Sequence, residues 1–102
     1  MRTSAIKARL GADVRAITPK EVEEYGLKSK QGVAIIWLDP DGPLLSAGFE
    51  VNDVILEING QAIEGLEGFV DILSALRPRQ RVTLLALDHR SGRTGYVQVE
   101  VR

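Results

Sequence analysis

Along the chain, short apolar runs alternate with polar segments that carry turn residues, and the apolar spacing changes from one segment to the next. Residues 10–17 open on a glycine turn and then place Ala12, Val14 and Ala16 at alternate positions, a period of two that predicts a strand. Thr18, Pro19 and Glu21 form a helix start: the threonine caps free amides, proline suits the first helical position and the carboxylate favours the positive end. The helix is predicted over residues 19–25, with Gly26 supplying the left-handed stop. Residues 32–38 are rich in β-branched side chains and almost wholly apolar, which predicts a central strand covered on both faces, with Trp37 in the core. Asp39 to Pro43 cannot extend it, because two prolines lack amide donors and Asp-Gly favours a tight turn.

Residues 44–47 offer one helical turn ended by Gly48, and residues 53–58 read as another strand closed by the Asn59-Gly60 turn signal. Leu66, Phe69, Val70, Leu73 and Leu76 recur at three- and four-residue intervals with Ile72 beside them, so an amphipathic helix is predicted over residues 66–76, ended by Pro78. Two alternating runs, residues 81–88 and 93–101, flank His89-Arg90-Ser91-Gly92 and predict a β-hairpin. The pattern is that of a mainly β domain with five strands and two or three helices, without repeats or a dividing linker.

Composition narrows the chemistry. A length of 102 residues with 44% hydrophobic and 26% charged positions suits one globular core. Thirteen basic against fourteen acidic residues provide no positive field for nucleic acid. No apolar run approaches the roughly 20 residues of a membrane span. The absence of cysteine removes thiolate nucleophiles, disulfides and zinc-thiolate sites. Residues 1–8 carry Arg2 and Lys7 but no apolar stretch; they read as a flexible lead rather than a signal peptide, with the domain proper over residues 9–102. A hydrolytic triad needs a histidine oriented by a carboxylate, and the one histidine, His89, falls in the predicted hairpin turn as a solvated loop residue. Asp39-x-Asp41-Gly42 lacks the further oxygen ligands of a calcium loop, and no phosphate-cradling glycine motif occurs. No catalytic residue, metal site or cofactor is expected.

Leu10-Gly11-Ala12, the run GPLLSAGF (residues 42–49), the run VNDVILEING (residues 51–60) and the amphipathic helix that follows resemble, taken together, PDZ domains. The stretch LGADVRAITPKEVEEYGL ahead of the next strand is similar to the second PDZ domain of bacterial Do-type, HtrA-like, serine proteases. This resemblance implies a PDZ-like, five-stranded, partly open barrel or sandwich capped by helices, with the ligand-holding strand first and the sheet closed by the last strand, a circular permutation of the animal arrangement. It implies a non-catalytic module of a periplasmic or otherwise extracytoplasmic serine protease, the protease domain preceding it. The module would bind exposed hydrophobic C-termini of substrate or misfolded proteins by strand addition.

The implied groove runs between the edge at residues 12–16 and the helix at 66–76. Leu10, Gly11, Ala12, Asp13 and Val14 are its candidate residues on the strand side, and Phe69, Ile72 and Leu76 on the helix side. Gly11 allows amides near residues 10–12 to turn inward toward a terminal carboxylate. Leu10, Val14, Phe69, Leu73 and Leu76 also suit ordinary core packing, and Arg9 reads as a solvated side chain. Pro43-Leu44-Leu45 departs from the small or polar residues common there in the family, a change placed outside the groove. An alternative function is contact between protease subunits with the groove closed. Ala12, smaller than the residue often found after the loop glycine, favours that reading.

Overall fold

A computed structural model describes residues 4–27 and 31–102. In chain order the elements are α1 (Ser4–Leu10), β1 (Ala12–Ala16), α2 (Pro19–Tyr25), β2 (Val33–Leu38), α3 (Pro43–Ser46), β3 (Val54–Ile58), β4 (Gln61–Ala62), α4 (Gly65–Ser74), β5 (Arg81–Leu87) and β6 (Thr94–Glu100). The strands form one antiparallel sheet in the order β1-β2-β3-β5-β6, with the short β4 paired to β3. β1 and β6 are its two edges, so the last strand does not close the sheet onto the first.

Local signals in the chain account for most boundaries. Thr18 and Glu21 form a reciprocal capping box at the start of α2, and Gly26 ends that helix at φ 65°. Asn59 and Gly60 both take positive φ, 51° and 79°, in the turn between β3 and β4. Arg15 of β1 holds Glu21 of α2 through two parallel bonds of 2.7 and 2.8 Å. That hydrogen bond is the main reason the Glu21 carboxyl falls to about 2.

Apolar clusters cover both faces of the sheet. One face packs Val33, Ile35 and Ile55 with Ile6 and Leu10 of α1 and Phe69 and Leu73 of α4. The other carries a smaller cluster of Ile17, Ala34, Val54, Leu56 and Leu87, which Val22 and Tyr25 of α2 flank. This second cover reaches only the first half of β2. Ile36 and Trp37 are therefore 50% and 41% exposed, correcting the expectation of a strand buried throughout with Trp37 in the core. The Lys7 ammonium instead sits 5.0 Å from the centre of the Trp37 ring.

Residues 4–8 also differ from the expected flexible lead. They belong to α1, and Ile6 is 1% exposed within the main cluster. The pair Ile6 and Leu10, one helical turn apart, is too short a pattern to stand out as a period.

Candidate peptide-binding groove

α1 runs into β1 through a single residue, Gly11. Its N–H donates to the Lys7 carbonyl at 3.0 Å, closing the helix, while its own carbonyl accepts from Asp39 N–H at 2.9 Å. Gly11 has φ +66°, and a Cβ there would lie 2.8 Å from the Gly42 Cα. Both the dihedral and the close backbone approach demand glycine. Because the Gly11 carbonyl faces β2, the alternation of an antiparallel ladder turns the N–H and C=O of Ala12 to the opposite side. On that side β1 has no strand partner among the described residues, and α4 packs against β1.

The apolar candidate residues read from the chain pack into one cluster, and Asp13 lies outside it. Leu10, Ala12, Val14 and Phe69 share the main apolar cluster, with Ile72 and Leu76 half-buried against it. Asp13 is partly exposed and pairs with Lys7 at 3.2 Å. Leu10, Ala12 and Phe69 are 0% exposed, Val14 is 8% exposed and Gly11 is buried, so the head of the groove is shut in this structure. The expected inward convergence of amides at residues 10–12 is also only partly present, because the Gly11 amide is committed to Lys7.

Three cations surround this head: Lys7, Arg9 and Arg102. Arg102 donates to the Lys7 carbonyl at 3.0 Å and to the Asp39 carboxylate at 3.1 Å. The Asp39 carboxyl is held below its usual range, first by the Asp41 N–H and then by Arg102. Arg9 is not the solvated side chain expected: it donates to the Leu76 carbonyl at 2.6 Å and to the Arg102 carbonyl at 3.1 Å. Partners 67 and 93 positions away leave no local trace in the sequence.

A second concavity, about 850 Å³, lies between the turn at residues 47–50 and the β5–β6 hairpin. Next to it His89 departs from its expected role as a solvated turn residue. Its Nδ1 lies 2.7 Å from Asp53 Oδ1, its side chain is 21% exposed, and Asp53 also accepts the amides of Glu50 and His89. Glu50, Asp53, Asp88 and His89 bring ligand-type atoms within 4.8 Å of one another. Asp53 acts there as a structural acceptor joining the turn to the hairpin, and Asp88 caps its own turn through Arg90 N–H and Ser91 Oγ.

Comparison with known proteins agrees with this architecture. Residues 8–101 match the PDZ domain family. The chain belongs to the PDZ domain family. The PDZ domain is 30% identical over 91 residues to a probable periplasmic serine endoprotease, DegP-like, of Halomonas elongata, covering 86% of this chain and 19% of that protein. It is 31% identical over 83 residues to serine endoprotease DegS of Escherichia coli K12, covering 80% of this chain and 23% of that protein. Among solved structures it is similar to the HtrA-type protease AlgW with decapeptide, at TM-score 0.73 and 29% identity, over 90% of this chain and 28% of that one. The PDZ domain thus spans about a fifth of the length of these curated relatives.

Proposed function

We propose that this PDZ domain is the non-catalytic peptide-binding module of a periplasmic HtrA-like serine protease and captures extended, hydrophobic C-termini of substrate or misfolded proteins. The observation that carries this reading is the edge strand β1, headed by the positive-φ Gly11 and flanked by the apolar side of α4. A peptide laid along that edge completes the ladder, which supplies affinity, while the apolar flank selects the last side chain. The similarity to AlgW, whose structure was determined with a decapeptide, supports the same ligand class. The Ala12 amide is the nearest donor for a terminal carboxylate, and Ile72 and Leu76 border the terminal side chain, with Phe69 behind them.

One observation favours a second reading, contact between protease subunits: the head of the groove is closed, with Leu10 and Ala12 inaccessible. Titration with an apolar-ended peptide separates the two. Binding by the native domain, mapped by amide shifts on β1 and α4 and weakened about tenfold or more by Ile72→Glu, supports peptide capture, because the variant sets a carboxylate against an apolar ligand. No binding, accompanied by concentration-dependent self-association, supports the assembly role.

A further inference from the structure

The closed head of the groove is tied across by one side chain. Beyond α4 the chain continues through Ala75 to Leu76, and helix ends leave carbonyls there without an intrahelical donor. Arg9 Nη2 donates to the Leu76 carbonyl at 2.6 Å. Nη1 of the same guanidinium donates to the Arg102 carbonyl at 3.1 Å, and the Arg9 carbonyl accepts the Arg102 N–H at 2.9 Å. Arg9 therefore joins the last turn of α1, two residues before Gly11, to the end of α4 and to the chain beyond β6. A planar guanidinium holds two acceptors at once in fixed geometry, which an ammonium on a flexible stem cannot reproduce. Behind this tie, Leu10 and Ala12 have no solvent exposure.

We propose that Arg9 is a positioning residue that holds the spacing between the loop at Gly11 and the end of α4, and so restricts the groove to peptides ending in a small aliphatic side chain. The inference rests on the peptide-binding reading. Ile72 and Leu76 lie on the segment that Arg9 fastens, so a bulkier terminal side chain must push this segment outward against the charge-assisted bond to the Leu76 carbonyl, whose donor is itself anchored on the Arg102 carbonyl. A valine-sized terminus needs less displacement than a phenylalanine-sized one. Arg9 acts through the groove's width and makes no contact with the ligand.

The test uses the native protein, Arg9→Gln, which removes the charge and the fork, and Arg9→Lys, which keeps the charge but not the fork. Two peptides differing only in a terminal Val or Phe are titrated, and amide exchange is followed at Ala12 with Val54 and Ile55 as internal references. The native protein should favour the Val peptide by about tenfold. Both variants should bring that ratio close to unity and speed Ala12 exchange by about tenfold, leaving the references unchanged. Unchanged Ala12 exchange overturns the proposal whatever the peptides do. An unchanged ratio, with both affinities lowered equally, assigns Arg9 to long-range attraction of the carboxylate and also overturns it. If the native protein binds neither peptide, the peptide-binding reading fails by itself, and Ala12 exchange still decides whether Arg9 holds the head shut. Should Arg9→Gln fail to fold, Arg9→Lys supplies the same comparison.

Discussion

Gly11 shows how one residue serves both the fold and the site. Its left-handed φ would suit few other residues, and the 2.8 Å gap from a hypothetical Cβ to the Gly42 Cα leaves no room for a methyl group. Gly11→Val should therefore cost stability, about 2–4 kcal/mol by denaturant unfolding, as well as peptide affinity, because the strained loop cannot keep both its link to Asp39 and the direction of the Ala12 amide. A variant with native stability would show that the loop yields easily. Gly11 was legible in the chain as a loop glycine, since glycine beside an alternating run is itself a signal. Arg9 and Arg102 were not, because their roles depend on carbonyls brought close only by the tertiary fold.

At the scale of elements, α2 is the part most fully written in local sequence. Its predicted span, cap and stop all appear, because Thr18, Glu21 and Gly26 act on backbone groups within a turn of themselves. β2 is the contrary case. Seven consecutive residues, Gly32 to Leu38, looked uniformly buried, yet cover on one face ends with the α2 cluster and Trp37 emerges beside Lys7. Periodicity reports which residues are apolar, whereas the length of the covering element decides how many are hidden.

The α2 cap also carries a pH dependence. Glu21 has a folded value of about 2 against an ordinary 4.5, so its contribution is fully present above 4.5 and is lost as pH falls toward 2. Unfolding midpoints across that interval should fall more steeply for the native protein than for Glu21→Gln, which has no carboxyl to titrate there. Parallel curves would mean that the Arg15–Glu21 pair adds no stability.

Across the whole molecule, the groove and the Asp53 junction occupy different regions: one joins β1 to α4, the other fastens the turn before β3 to the β5–β6 hairpin. Asp53→Ala leaves two amides and the His89 ring without their acceptor and should destabilise by about 2 kcal/mol or more, with little change in peptide affinity at temperatures where the domain stays folded. A selective loss of affinity would show that the hairpin is coupled to the groove.

Most of the elements and their turns could be read from the chain, because alternation, turn residues and the α4 stripe are local patterns, whereas the pairing order of the strands and the groove positions rested on the resemblance to PDZ domains. Whether the groove stands open could not be read, since it depends on how tightly α1, α4 and β1 close upon one another. The central claim, capture of a chain terminus at the head of β1, is tested most directly by calorimetric titration with a hydrophobic-ended peptide as free acid and as C-terminal amide, at one salt concentration. Strand addition contributes equally to both, while a charge-assisted bond to the terminal carboxylate contributes about 1.5–3 kcal/mol. The free acid should bind about ten- to a hundredfold more tightly; equal affinities would contradict recognition of the terminus.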